Sequence, residues 1–402
     1  MSETRDSVSE TLESVVIGAG PIGIEVAIEL QRRGLRAQVF DAGPIGHTIS
    51  WWAPCTRWFS SNDRIAIAGV PLNTVDQAKA SREEYLNYLR GVIDQYQVPV
   101  TTFSRLVSIT ENSGDARDGA AMLSSWKLRL RRVDARLTSG FLRERSAENS
   151  ANDLGDADFF VNARSVVLAI GGTDVPNRLG IAGENLPHVD GYLREVHRYH
   201  GRRVLIVGGR NSAVEAAIRL HRGGARVSLC YHGERLPEDG IKYWLRPEIE
   251  GLIRSGSIEK FFASRVVEIT NSAARIETTG RDNSIASQVV PFDDVLTLIG
   301  YRQDKTLFSE LGILSDSPSG APVYDPETMQ TSRGGIYVAG TAIGGTQSSK
   351  YQVFLENCHD HAGKIADHLC RSIDPTMVER GQRSGDRRDQ GLEQRIVWQP
   401  ES

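Results

Sequence analysis

The clearest chemistry in this chain lies in three glycines, Gly18, Gly20 and Gly23, within the stretch V-V-I-G-A-G-P-I-G. Gly18 permits a tight turn, Gly20 leaves no Cβ to hold a pyrophosphate off the backbone, and Gly23 lets a following helix lie close to the preceding strand. Phosphates placed there meet free N–H groups and the positive end of the helix dipole. Asp41 stands about 20 residues further on, where an acid hydrogen-bonds a ribose hydroxyl. A second copy follows R-V-L-I-V at 203–207, through Gly208, Gly209, Arg210, Asn211, Ser212 and Ala213. Its next strand ends at Tyr231-His232-Gly233 with no carboxylate, and Arg226, His232 and Arg235 lie close by. A 2′-phosphate is tolerated there, so NADPH is favoured, with NADH possible. Arg210 takes the place of the middle glycine, where its guanidinium can supply a phosphate contact of its own.

Other reactive types are sparse. Cys55, Cys230, Cys358 and Cys370 form no C-x-x-C pair. His188, His197, His359 and His361 show no ligand spacing with carboxylates, so no metal is expected. A formal net charge of -4 carries no basic footprint, which argues against a nucleic-acid partner. No apolar run reaches the roughly 18 residues of a membrane span, and the amino terminus lacks a signal-peptide core. The expectation is a cytoplasmic protein without membrane contact.

The elements that must position these residues can be read from periodicity. A strand enters Gly18, a helix carries Glu25, Val26, Ile28 and Leu30, and a second strand spans 36–40. The loop from Asp41 to Pro71 holds Trp51, Trp52, Trp58 and Phe59, either as a pocket wall or as filling for a core seam. Ser81 and Glu84 predict a capping box opening a helix over 81–95. Strands are predicted at 98–109, 126–133 and 159–170, with a polar excursion over 134–156 and the last strand stopping at Gly171-Gly172. Further strands are predicted at 294–298, on return to the first unit, and at 335–339, ending at Gly340. A turn with Thr341 then leads to a helix over about 351–370, whose amino terminus would face an isoalloxazine ring. The fold class is α/β with two Rossmann-like dinucleotide-binding domains, one at 191–290 inserted into another at 14–190 and 291–370, with disordered tails at 1–13 and 371–402.

Beyond this pattern, W-F-S-S-N-D-R-I-A-I-A-G-V-P-L (58–72), G-G-R-N-S-A-V-E-A-A (208–217), I-K-Y-W-L-R-P-E-I-E (241–250) and F-L-E-N (354–357) resemble the YpdA family of proposed bacillithiol disulfide reductases. That family is thioredoxin-reductase-like, and the similarity spans nearly all of 14–370. The resemblance implies that the inserted domain takes NAD(P) and the discontinuous one FAD. It implies FAD on Gly18, Gly20, Gly23 and Asp41, with Gly340 and the turn after it closing over the flavin; Pro21, Ile22, Gly172 and Thr341 are further candidates for FAD, and Gln347 and Lys350, which precede the last helix, are candidates for the flavin's pyrimidine edge. It implies NADPH on Gly208, Gly209, Arg210, Asn211, Ser212, Ala213 and His232. Two positions depart from it. Thr341 stands where the wider superfamily often has an Asp for the ribityl chain, and Ile22 stands where the family has a single cysteine.

Without that thiol the candidate catalytic residue is Cys55, in the region where the glutathione-reductase branch places its dithiol, with Arg57 available to favour a thiolate. The alternative is a buried structural cysteine. The implied activity is an FAD-dependent NAD(P)H oxidoreductase in which nicotinamide passes hydride to flavin. Its acceptor would be a low-molecular-weight disulfide such as bacillithiol disulfide, and the protein would form a homo-oligomer. Alternatives are an NADPH-dependent flavin monooxygenase and a redox-sensing flavoprotein without turnover.

Overall fold

The computed structural model describes residues 11–112, 125–133, 158–173, 175–316, 319–345 and 353–373. The apolar run entering Gly18 forms β1 (Leu12–Ile17), flanked in parallel by β2 (Ala37–Phe40) and by β6 (Phe159–Leu168). A short β3 (Val100–Thr101) extends the sheet beyond β2. Continuous rather than alternating hydrophobicity in β1 follows from burial on both faces. Val15 and Val16 are both fully enclosed but belong to opposite core layers.

The ten-residue β6 serves two partners along one edge. Its early residues pair antiparallel with β5 (Ser125–Arg132), which continues to β4 (Ser104–Asn112). Val166 to Leu168 pair in parallel with β17 (Ile336–Val338), from the far end of the chain. The carboxyl ends of β2, β1, β6 and β17 therefore lie along one rim, where open α/β sheets bind ligands.

Helix α1 (Pro21–Arg32) has Pro21 in its first turn, where no N–H is needed and φ is already helical. It packs on α8 (Asp360–Ile373) over one face of the sheet. Between β2 and β3 lie α2 (His47–Ser50), α3 (Asn62–Ile65) and α4 (Arg82–Tyr96). The predicted capping box opens α4: Ser81 Oγ accepts from Glu84 N at 3.2 Å, and Glu84 accepts from Ser81 N at 2.7 Å.

The second unit repeats the design. Parallel strands run in the order β11 (Glu259–Phe261), β10 (Arg226–Cys230), β9 (Arg203–Val207), β15 (Asp294–Thr297), β8 (Val189–Asp190). Helix α5 (Asn211–Arg222) follows β9, and α6 (Arg246–Arg254) precedes β11. An antiparallel sheet of β12 (Ser264–Ile269), β13 (Ala273–Thr279) and β14 (Ile285–Pro291) is appended. The two crossings between units run side by side, β7 (Val175–Pro176) against β16 (Tyr301–Arg302).

Two expectations are corrected. The strand at 294–297, expected in the first unit, pairs with β9, and 189–190 pairs with it in turn. A short buried strand has no mark of which sheet it will join. In the second sheet Arg202 forms an ion pair with the buried Asp294. The last helix begins at Asp360 rather than near 351. A 3₁₀ turn at Leu355–Asn357 precedes it, closed by Asn357 Oδ1 accepting from Phe354 N at 2.9 Å. The helix α7 (Thr306–Glu310) leads from β16 into the buried Phe308. The predicted excursion at 134–156 and both outer tails lie largely or wholly outside the described residues.

Candidate functional site

The first glycine turn and the helix start that follows the second open onto one cleft of about 2930 Å³. Gly18, Gly20, Pro21, Ile22 and Asp41 line it from the first turn, Gly340 and Thr341 from the end of β17, and Asn211 and Ser212 from the second turn. Trp51, Trp52, Trp58 and Phe59 form part of its wall, and the first three also pack inward, Trp58 lying 4.5 Å from Tyr85 centroid to centroid. Both readings of the aromatic loop are therefore realised.

The three glycines of the first turn do different jobs. At Gly18, with φ of 114°, a side chain would run into the Ala169 carbonyl. At Gly23 it would run into the Gly18 carbonyl. A Cβ on Gly20 would meet no described atom within 4 Å. The protein's own packing thus explains Gly18 and Gly23 but leaves Gly20 to a group that approaches from the cleft. Asp41 accepts from Ala19 N and Gly43 N, each at 2.7 Å, so it braces the turn as well as lining the cleft.

Across from this turn, Gly340 has φ of 69° and donates its N–H to His361 Nδ1 at 3.1 Å. Burial pushes the His361 imidazole down to about 4, with the Lys364 and His359 charges acting in the same sense and Asp360 opposing them. The ring is held neutral, as an acceptor for that N–H must be. Ile22, 6 % exposed, packs beneath Gly340. Gly172 is buried, while its neighbours Gly171 and Thr173 line the cleft. The amino terminus of α8 does not line the cleft; Val353 to Asn357 do. Gln347 and Lys350 lie outside the described residues.

One residue that sequence reasoning missed sits here. Gln303, 3 % exposed, donates through Nε2 to Gly171 O at 3.0 Å and Ala342 O at 2.8 Å. Its Oε1 has no partner among the described residues, and the residue lines the cleft. A lone Gln after G-Y-R carries no sequence signal; only the return of the chain through β16 brings it here.

The second turn is more covered. Gly208 would clash with the Leu298 carbonyl if it carried a side chain, and the Tyr231 ring lies over Gly209. Asn211 N donates to Gly240 O at 3.0 Å, and Lys242 N donates to Asn211 Oδ1 at 2.6 Å. The segment 240–242 is thereby strapped over the start of α5, and Lys242 Nζ pairs with Glu215 at 3.2 Å. Gly208, Gly209, Arg210, Ala213 and His232 are not part of the cleft lining; Arg210 and His232 are exposed to solvent. The same segment reaches the first unit, where Trp244 stacks on Phe59 at 5.6 Å with Lys79 over both rings. Arg219 adds hydrogen bonds to the Pro54 carbonyl and, at 3.3 Å, Thr56 Oγ1.

The geometry does not favour Cys55 as the reacting thiol. It is exposed, outside the cleft lining, and its backbone N–H donates to the Glu83 carboxylate at 3.1 Å. The expected Arg57 charge is directed to Asp76, 3.0 Å away. Cys230 and Cys358 are buried, and desolvation pushes each thiol up to about 12. Cys370 is also buried and raised by desolvation. None of the four lines the cleft.

Two Rossmann sheets whose glycine turns share a cleft define a flavoprotein reductase of the two-dinucleotide-domain class. The model of the pyridine nucleotide-disulphide oxidoreductases matches residues 15–117 and 156–340. The chain belongs to that family, an FAD-dependent oxidoreductase that uses a pyridine nucleotide. It is 28% identical over 359 residues to the bacilliredoxin reductase Bdr of Bacillus subtilis, covering 89% of this chain and 98% of that one. Among solved structures it is similar to the bacillithiol disulfide reductase Bdr (YpdA) from Bacillus cereus, with TM-score 0.75, 28% identity and 90% and 99% coverage. The Staphylococcus aureus counterpart gives TM-score 0.74, 26% identity and 91% and 100% coverage. Among the described residues no helix is long and apolar enough to cross a membrane, and no cluster of His, Cys, Asp or Glu has metal-site geometry.

Proposed function

We propose that this protein reduces a low-molecular-weight disulfide, such as bacillithiol disulfide, with electrons from NADPH passed through FAD. The observation that carries the reading is the single cleft shared by an open glycine turn and a second, strapped one. When bound, the two cofactors supply hydride transfer from nicotinamide to flavin. The chain's part is to hold and shield them. Gly18, Gly20, Pro21, Ile22, Gly23 and Asp41 would carry the flavin's diphosphate and adenosine side, with Gly172, Gly340, Thr341, Gln347 and Lys350 toward its ring. Gly208 to Ala213, together with His232, would carry NADPH. Trp51, Trp52 and Trp58 exclude water from the wall between them, which strengthens the polar contacts inside.

We also place the protein in the cytoplasm as a homo-oligomer; its four unpaired cysteines fit a reducing compartment. A second reading is favoured by one observation, that no cysteine lines the cleft. The electrons would then reach the acceptor with no protein thiol between, and the acceptor need not be a disulfide.

The test is anaerobic. NADPH should bleach the protein-bound flavin, and bacillithiol disulfide should restore its colour with two thiols formed per NADPH consumed. Bleaching without reoxidation by any small disulfide rejects the disulfide acceptor and leaves the second reading. A protein that takes up FAD but is not bleached by NADPH rejects both.

A further inference from the structure

The structure assigns a flavin-binding role to Gln303: we propose that its side-chain carbonyl accepts a hydrogen bond from a ribityl hydroxyl of the FAD. The argument begins with the unpaired acceptor. Gln303 is 3 % exposed, and a buried amide oxygen left without a donor is destabilising. Both of its N–H groups are used, on Gly171 O and Ala342 O, so the amide cannot turn over to relieve the oxygen: a flip would set it against two carbonyls. Oε1 is therefore held without a partner in a residue that lines the cleft.

Sheet order says which part of the ligand reaches it. The first unit runs β3, β2, β1, β6, with β17 beside the carboxyl half of β6. Asp41 follows β2, the glycine turn follows β1, and the two carbonyls that hold Gln303 lie just past β6 and β17. A dinucleotide with its diphosphate on Gly20 and its adenosine ribose toward Asp41 runs its other half over β6 and β17. On FAD the groups next to the diphosphate on that side are the ribityl hydroxyls. Each is a donor, and Gln303 Oε1 is an acceptor in their path.

The carbonyls Gln303 holds belong to the end of β6 and the turn after Gly340, and the residue itself comes from β16, the strand by which the chain returns from the second unit. It thus ties three separate stretches at one point and holds its oxygen from rigid elements. The oxygen is itself covered, so its cover must shift to admit the hydroxyl, and part of the bond's worth is spent on that shift.

This inference rests on the flavin lying along the first glycine turn, and the experiment separates the two. Apoprotein is prepared as wild type, Gln303→Met, Gln303→Lys and Gly20→Val, and FAD binding is read by quenching of flavin fluorescence, with unfolding temperature measured with and without FAD. Gln303→Met removes donor and acceptor; Gln303→Lys keeps a donor for the two carbonyls and removes the acceptor. Both should bind FAD about threefold to thirtyfold more weakly, as one lost hydrogen bond in a buried setting predicts. A role confined to bracing the two carbonyls would lower the apoprotein's unfolding temperature and leave the FAD-induced rise unchanged; the proposal requires that rise to shrink. If both Gln303 variants bind FAD within twofold of wild type while Gly20→Val binds poorly, the Gln303 assignment falls and the flavin site stands. If Gly20→Val also binds as wild type does, the placement of the flavin falls, and the Gln303 assignment with it. Should the Met variant fail to fold, the Lys variant decides alone.

Discussion

The two glycine turns have nearly the same sequence frame and opposite surroundings. Above Gly20 there is open space, and the turn is braced from behind by Asp41 through Ala19 and Gly43. In the second turn Arg210 takes the place of Gly20, the ring of Tyr231 lies over Gly209, the counterpart of Ala19, and the start of α5 is strapped by Gly240 and Asn211. The first turn stands open, and the second is covered by a ring and a strap. A repeated fingerprint therefore encodes a shared backbone geometry, and its neighbours decide how open each copy stands.

The sharpest break of this contrast comes inside the first turn. Gly23→Val should destabilise the first unit by about 3 kcal/mol, because the side chain is forced into the Gly18 carbonyl. A urea titration should show the loss in the apoprotein itself. Gly20→Val, in open space, should leave apoprotein stability within about 1 kcal/mol of wild type while weakening FAD binding by about tenfold or more. If both substitutions damage the apoprotein equally, the open space above Gly20 does not belong to a ligand.

Next in size is a change to the second turn. Gly209→Ala pushes against the Tyr231 ring, which side-chain rotation can relieve. We expect KM for NADPH to move by about threefold to tenfold, an energy of roughly 1 kcal/mol, with flavin content unchanged. A loss of flavin in this variant would show that the turns are not independent.

Acid should distinguish the turns as well. The His361 imidazole is depressed to about 4 in the folded protein, against an ordinary value near 6.5, so stability is full above about pH 6.5 and falls as pH drops toward 4, where the unfolded chain binds a proton that the folded one refuses. Because His361 holds Gly340 N–H until the folded ring itself takes a proton, flavin should be released as pH falls through about 4. His361→Gln, which keeps an acceptor without titrating, should flatten that slope in thermal melts. The smallest effect is expected at Cys55: replacement by Ser should leave turnover within about twofold, since the thiol lies outside the cleft. A loss of turnover beyond that, with FAD still bound, would return the thiol to the mechanism.

Much of the site is legible in the sequence because its parts are local. Strand, glycine turn, helix and Asp41 fall within one continuous segment, and a fixed period with fixed glycine offsets leaves little freedom in how it folds. The same holds for the Ser81–Glu84 capping box. The assignment of 294–298 to the first unit failed for the opposite reason. Its pairing with β9 bridges some ninety positions of chain, and a four-residue buried strand looks alike in either sheet. The early start expected for the last helix failed because a side-chain cap at Asn357 closes a separate turn first.

The amino-acid sequence alone thus determined the fold class, the two cradles and the absence of a cysteine after Pro21. Tertiary structure alone decided that both cradles open on one cleft, that Tyr231 covers one of them, that Cys55 lies outside, and that Gln303 offers an unpaired oxygen at the junction of β6, β16 and β17. Periodicity and glycine spacing record what a residue does to its neighbours along the chain. Which side chains meet across a hundred residues is set by how buried surfaces fit together, and that appears only once the sheets have closed on their helices.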